Sequence, residues 1–193
     1  MLDNFWFNVQ IGINHILDVN GYDHILFLIV LAVPYVFNSW KRILILVSLF
    51  TIGHSISLFL GVYDVVKVNS NLIEFLIPVT ILIAAVYNVF TAGKKDKGNN
   101  IGLLFITTLF FGLIHGLGFA REAKMIDDGS LAFLLEFALG IEIAQLIVVF
   151  VVLFLGFLCQ TIFRFSRRDW VMVLSAVVIG LVIPMIIHND LLK

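Results

Sequence analysis

Charge, sulfur and nucleotide-binding signatures are what this chain has least of. Only 13% of its 193 residues are Asp, Glu, Lys or Arg, and the net charge is -1. With no basic excess to meet a phosphate backbone, nucleic acid is excluded as an expected partner. A single cysteine, Cys159, excludes an internal disulfide and reads as a small packing residue in an apolar stretch. One cysteine and four methionines also fall short of the soft sulfur set that Cu(I) selects. No glycine-rich phosphate loop is present, so this chain is not expected to consume a nucleotide.

What the chain has in abundance is apolar side chain. Hydrophobic residues make up 61% of it, more than a soluble globule of this size can hide. The apolar runs are about 20 residues long and unbroken, the length an α-helix needs to cross ~30 Å of hydrocarbon; a β-barrel would show short alternating segments. The expected fold is an all-α integral membrane protein. A six-helix transmembrane bundle in one domain over residues 1–193 is predicted, with spans at about 22–37, 41–62, 71–92, 101–120, 131–163 and 170–188. The fifth run exceeds what a bilayer requires, so it must tilt, bend near Gly140 or Gly156, or protrude into water.

Ahead of the first span, Trp6, Val9, Ile13, Ile16 and Leu17 recur at helical spacing. They predict a short N-terminal amphipathic helix, at the membrane interface or tucked against the bundle. No Lys or Arg precedes it, and it is too polar for the core of a signal peptide, so no cleavable targeting segment is expected. Lys41, Arg42, Lys94, Lys95, Lys97, Arg164, Arg167 and Arg168 fall on one side of the spans, against Lys67, Arg121, Lys124 and Lys193 on the other. The larger set is expected to be cytoplasmic, which puts both termini outside. Contact of the basic loops with anionic lipid is compatible with this topology.

Against so apolar a background, the ionisable residues within or beside the spans stand out: Asp23, His24, His54, Glu74, His115, Glu136 and Glu142. Such residues inside a bilayer are functional-site hypotheses by default. His54 lies thirteen residues from the start of its span and His115 fourteen from the start of its own, so at 1.5 Å per residue both sit ~20 Å up, in the outer half. Asp23 and His24 are placed at the outer end of the first span, and Glu74, Glu136 and Glu142 descend from outside to similar or slightly lower levels. Four carboxylates left without partners would cost roughly 10 to 14 kcal/mol as an upper bound. Imidazoles, a divalent cation, protons or trapped water must compensate them, and His with carboxylate suits Ni, Co, Zn or Cu(II).

The helical faces agree. Glu74, Pro78, Ile81, Ala85 and Asn88 form one stripe that can line a path. Glu142 and Gln145 share a face from which Glu136 points roughly 120° away. Ser48, Thr51 and Ser55 run beside His54 as a hydroxyl stripe, for which packing hydrogen bonds are the plain reading. Gly112, Gly116 and Gly118 near His115 allow close helix approach. His188 is expected at the interface, and Asp127 and Asp128 in a solvated loop.

His15-Ile16-Leu17 and the segments 21–27 (GYDHILF), 50–57 (FTIGHSIS), 111–120 (FGLIHGLGFA) and 140–146 (GIEIAQL) together resemble the HupE/UreJ family of bacterial membrane proteins, over a stretch from about Phe5 to Val152. The resemblance implies a multi-pass protein of the bacterial inner membrane, handling nickel or a related divalent metal as a permease. It also implies that His24, His54, His115 and Glu142 contact metal, with Asp23 as a ligand or as an orienting neighbour of an imidazole. His15 matches a family position as well, and with Ser55, Glu74, Asn88, Glu136 and Gln145 it is a candidate for the surrounding shell or pathway. Two other readings stand beside transport. One is an intramembrane zinc hydrolase using His24, His54, His115 and Asp23, with Ser55 assisting. The other is a metal-binding accessory or sensor protein without a path.

Overall fold

A computed structural model describes residues 2–94, 101–127 and 130–192; Lys95, Lys97, Asp128 and Lys193, used above, lie outside them. The described residues form α1 (Leu2–Leu17), α2 (Asp23–Ala32), α3 (Trp40–Val62), α4 (Ser70–Thr91), α5 (Ile101–Ile126), α6 (Leu131–Thr161) and α7 (Arg167–Ile187). Short 3-10 turns occur at Phe37–Ser39 and Asp190–Leu192. The fold is all-helical, as expected. Among the described residues, four helical segments are long and apolar enough to cross a membrane: Phe37–Val62, Ser70–Thr91, Leu131–Thr161 and Arg167–Ile187. α6, with 31 residues, is about 46 Å long at 1.5 Å per residue, so the excess length expected of the fifth run is real.

Small residues determine which helices touch. Along α3 and α5, Gly53 meets Gly112, Ser57 meets Gly116 and Gly61 meets Ala120, so the two helices run in the same direction with backbones in contact. A Cβ on Gly112 would lie 2.3 Å from the Phe50 carbonyl oxygen, and one on Gly53 2.4 Å from that of Leu109. α1 and α6 repeat the arrangement. Gly12 packs on Gly140, each facing the carbonyl three residues before the other, Phe137 and Val9. Asn8 donates to Glu136 Oε2 at 2.7 Å across the same 128-residue offset, so these helices are also parallel. Glycine at such crossings removes the side chains that would hold the backbones apart.

These contacts decide between the two positions expected for the first helix, in favour of the one tucked against the bundle. α1 is not laid in the interface but packed along α6, with Val9 and Ile16 fully buried while Trp6 stays exposed. The first expected span is also shorter than predicted. α2 has ten residues, about 15 Å, half the hydrocarbon thickness, and Asp23 and His24 open it in contact with other helices instead of marking an outer membrane edge. Pro34 explains its end. Proline has no N–H to bond the Val30 carbonyl and disfavours helix in the residue before it. The Asn88 side chain donates to that carbonyl at 2.7 Å, which gives the expected pathway residue a structural task. Asn88→Leu removes the donor and leaves a carbonyl bare among apolar side chains; it is expected to lower stability by about 2 kcal/mol, measured by unfolding in detergent.

Hydroxyls and amides start the later helices. The side chains of Asn69, Ser130 and Ser166 accept from the backbone N–H of Asn71, Phe133 and Asp169, satisfying donors that have no partner within the helix. In the α3–α4 connection Asp64 forms an exposed ion pair with Lys124, and the lysine holds its carboxyl below the usual range.

Candidate metal centre

Each histidine reaches the centre of the bundle for a reason visible in its helix. His54 follows Gly53 and His115 lies one turn beyond Gly112, so the close α3–α5 crossing draws both imidazoles inward. His15 stands one turn beyond Gly12 in the α1–α6 crossing, and His24 is the second residue of α2. His15, His24 and His54 each bring one ligand nitrogen to within 4.8 Å of the others. The His115 ring centroid is 4.9 Å from that of His24. His54 and His115 are completely enclosed, His24 is buried and His15 half-buried.

Hydrogen bonds fix two of the tautomers. The Phe111 carbonyl oxygen lies 2.9 Å from His115 Nδ1 and can only accept, so Nδ1 carries the proton. His24 Nδ1 faces Asp23 Oδ1 at 3.2 Å, and the other carboxylate oxygen lies 4.0 Å from His115 Nε2. Asp23 therefore stands between two imidazoles and orients His24. The nitrogens left over are Nε2 of His15, His24 and His115 and both nitrogens of His54, all buried without a hydrogen-bond partner. A buried polar atom without a partner costs free energy that a bound cation can return. A neutral imidazole offers one lone pair, so these atoms amount to one ligand nitrogen each from His15, His24 and His54, with His115 Nε2 beside them, a set of the type that suits a transition-metal ion.

Phenylalanines close the centre on two sides. Phe50 and Phe111 precede His54 and His115 by one turn on the parallel helices α3 and α5. Phe27 follows His24 by about one turn and completes the layer, with ring centroids 4.9 Å from Phe50 and 5.2 Å from Phe111. On the His15 side, Phe119 lies 4.0 Å from the imidazole centroid and stacks on Phe137 at 5.0 Å. A cavity of about 520 Å³ lined by Asn14, His15, Asp18 and Phe119, among others, reaches the cluster from this side.

The remaining sequence candidates divide. Glu142 is not in the histidine group. It accepts from Ser48 Oγ at 2.7 Å and from the Thr51 hydroxyl, while Gln145 Nε2 reaches Thr51 Oγ1 at 3.3 Å. On α3, Ser48 and Thr51 lie six and three residues before His54, so this cluster sits toward the Trp40 end of the helix. Glu136 is engaged by Asn8, Glu74 is exposed on α4, and Ser55 is half-buried beside His54. His188 is exposed, with Nδ1 2.8 Å from the Pro184 carbonyl. Sequence reasoning placed His15 in the periphery, yet the fold makes it part of the central triad. The signal was present: Gly12-Ile13-Asn14-His15 repeats the Gly-x-x-His spacing of Gly112 to His115.

The chain was then compared with known proteins. The family model described as HupE / UreJ protein matches residues 1–189. No curated protein and no solved structure matches.

Proposed function

The chain belongs to the HupE/UreJ family, and from that premise we propose that it carries a divalent transition-metal ion, nickel first and otherwise cobalt, zinc or copper(II), across the bacterial inner membrane. The family is associated with nickel and metal transport. The observation that carries the reading is the group of His15, His24 and His54, whose nitrogens converge in the bundle interior without hydrogen-bond partners. The ion enters by the cavity at Asn14 and Asp18, sheds water against His15, His24 and His54, and is held beside Asp23 and His115. It leaves when the layer of Phe27, Phe50 and Phe111 opens. The protein acts as a permease without covalent chemistry.

The same reading gives one transmembrane domain with six crossings. α1 and α2 act as two halves of one broken crossing, α3 to α7 supply five more, and both termini lie outside. Discontinuous helices whose ends meet at an ion site near the bilayer midplane are a recurring transporter device, and here the break falls between His15 and Asp23.

Uptake of Ni, Co, Zn and Cu(II) into proteoliposomes tests the proposal. Metal-selective flux in the wild type, lost in a folded His24→Ala variant, is the expected result; tight binding without flux would overturn it. Metal affinity should change little near neutral pH and weaken only in acidic solution, where protons compete for the ring nitrogens, read by calorimetric titration from neutral to acidic pH.

One observation favours a second reading. The Phe27, Phe50 and Phe111 layer closes the centre on one side while a cavity opens on the other, and three imidazoles with an adjacent carboxylate also suit a hydrolytic zinc site. Zinc-dependent hydrolysis of a lipid amide or ester without flux would select the hydrolase. Metal binding with neither flux nor hydrolysis would select an accessory or sensor role.

A further inference from the structure

We propose that Glu142, Ser48, Thr51 and Gln145 form a second cation site, separate from the histidines, that takes sodium. Its donors are all oxygens: both carboxylate oxygens of Glu142, the hydroxyls of Ser48 and Thr51, and the side-chain carbonyl of Gln145. A set without imidazole or thiolate suits a hard cation and offers nothing to favour nickel or zinc. The single carboxylate fixes the charge at one unit, where calcium and magnesium sites use more acidic groups or retained water.

Two observations indicate that the cluster is not complete in itself. Among the described residues, no lysine, arginine or histidine pairs with Glu142, although the residue lies within a candidate membrane span. Ser48 and Thr51 each spend their one hydroxyl hydrogen on it, so the donors are used up while the negative charge remains. Gln145, completely enclosed, turns its Nε2 to Thr51 and keeps Oε1 buried without a partner. A buried carbonyl oxygen that no donor reaches is free to ligate a cation, and here it faces the cluster once the amide turns over and exchanges its two ends at Thr51. The four side chains come from only two helices, α3 and α6. These belong to different glycine-locked pairs, so an ion between them bridges the pairs. The gradient that could drive metal movement would then be one of sodium, and only that consequence rests on the transport reading.

Thermal unfolding of the purified full chain in detergent tests the site, with sodium chloride compared against choline chloride and potassium chloride at equal ionic strength. Sodium is expected to raise the midpoint by a few degrees over both. His54→Ala should keep this rise while losing the response to nickel, and Glu142→Gln should lose it while keeping the response to nickel. Saturable binding of radioactive sodium to the wild type gives a readout that needs no variant. Equal midpoints in sodium and choline, an equal effect of potassium, or a midpoint that follows pH but not sodium would overturn the proposal; the last would assign the cluster to a proton. Failure of nickel to bind would leave the sodium result standing and count against the histidine centre alone.

Discussion

Replacing His54 with alanine is expected to weaken nickel binding by at least about 100-fold, or about 2.7 kcal/mol, in a calorimetric titration of purified protein. The triad draws its nitrogens from three helices, and loss of one leaves two of them, with His115 Nε2 held 4.0 Å from the Asp23 carboxylate as the remaining imidazole nearby. His115 is tied to Phe111 through Nδ1 and stands across Asp23, so His115→Ala should cost less, in the 10- to 100-fold range of partners that orient a ligand. The metal-free protein should behave differently. His54 makes no side-chain hydrogen bond and holds two buried nitrogens without partners, so its removal deletes a polar liability along with some packing. The unfolding midpoint without metal should therefore fall little, while the stabilisation by added metal disappears. His188→Ala, changed on an exposed ring at the end of α7, should leave affinity as it was. An unaltered affinity in folded His54→Ala would remove the histidine cluster as the binding site.

Gly112→Ala should cost about 3 kcal/mol of stability or more. The added carbon would sit 2.3 Å from the Phe50 oxygen and 3.0 Å from the His54 nitrogen. Both are backbone atoms of the facing helix, so relief requires α3 and α5 to separate along their length. That movement carries His54 away from His115, and metal affinity should fall together with stability. Gly140→Ala meets the Val9 oxygen at 2.1 Å and should behave alike through α1 and His15. Gly180→Ala is the control: nothing lies within 4 Å of its added carbon, and alanine's better helix propensity predicts a neutral result or a gain below about 1 kcal/mol. Unfolding under a graded denaturant separates the three. A neutral Gly112→Ala would mean that the crossing is looser than its contacts require.

Much of this centre was legible in the sequence because the bilayer makes polar residues conspicuous. His24, His54, His115 and Asp23 were singled out by depth along separate helices, and the fold brings them together. One error, the length of the first span, and one choice left open, the place of α1, came from one source, a count that began at the first long apolar run. Such a count cannot see that α1 packs along α6, because Gly12 and Gly140 signal contact only once they face one another. Nor does it anticipate that Pro34 shortens α2 and commits Asn88 to the carbonyl it frees. Glu142 was assigned to the histidines because helix rise resolves depth but not which neighbour faces a residue. Its partners Ser48 and Thr51 had been noted as a stripe beside His54, without a link to α6. Helix type, by contrast, and the extents of α3, α4 and α7 were read well, because apolar runs of about 20 residues have the length that a hydrocarbon layer demands of a helix.

The two glycine crossings also bear on how the molecule can move. Backbones that touch at Gly53 and Gly112, or at Gly12 and Gly140, leave no slack within a pair, so each pair behaves as one stiff jaw. His15 rides on one jaw and His54 and His115 on the other, with His24 at the tip of the short α2 wedge between them. A cation seated among these rings would clasp the jaws together, and parting them would dismantle its coordination shell in a single stroke. Its release would then be a rocking of two rigid bodies, in which the grip on the ion and the shape of the protein change as one event.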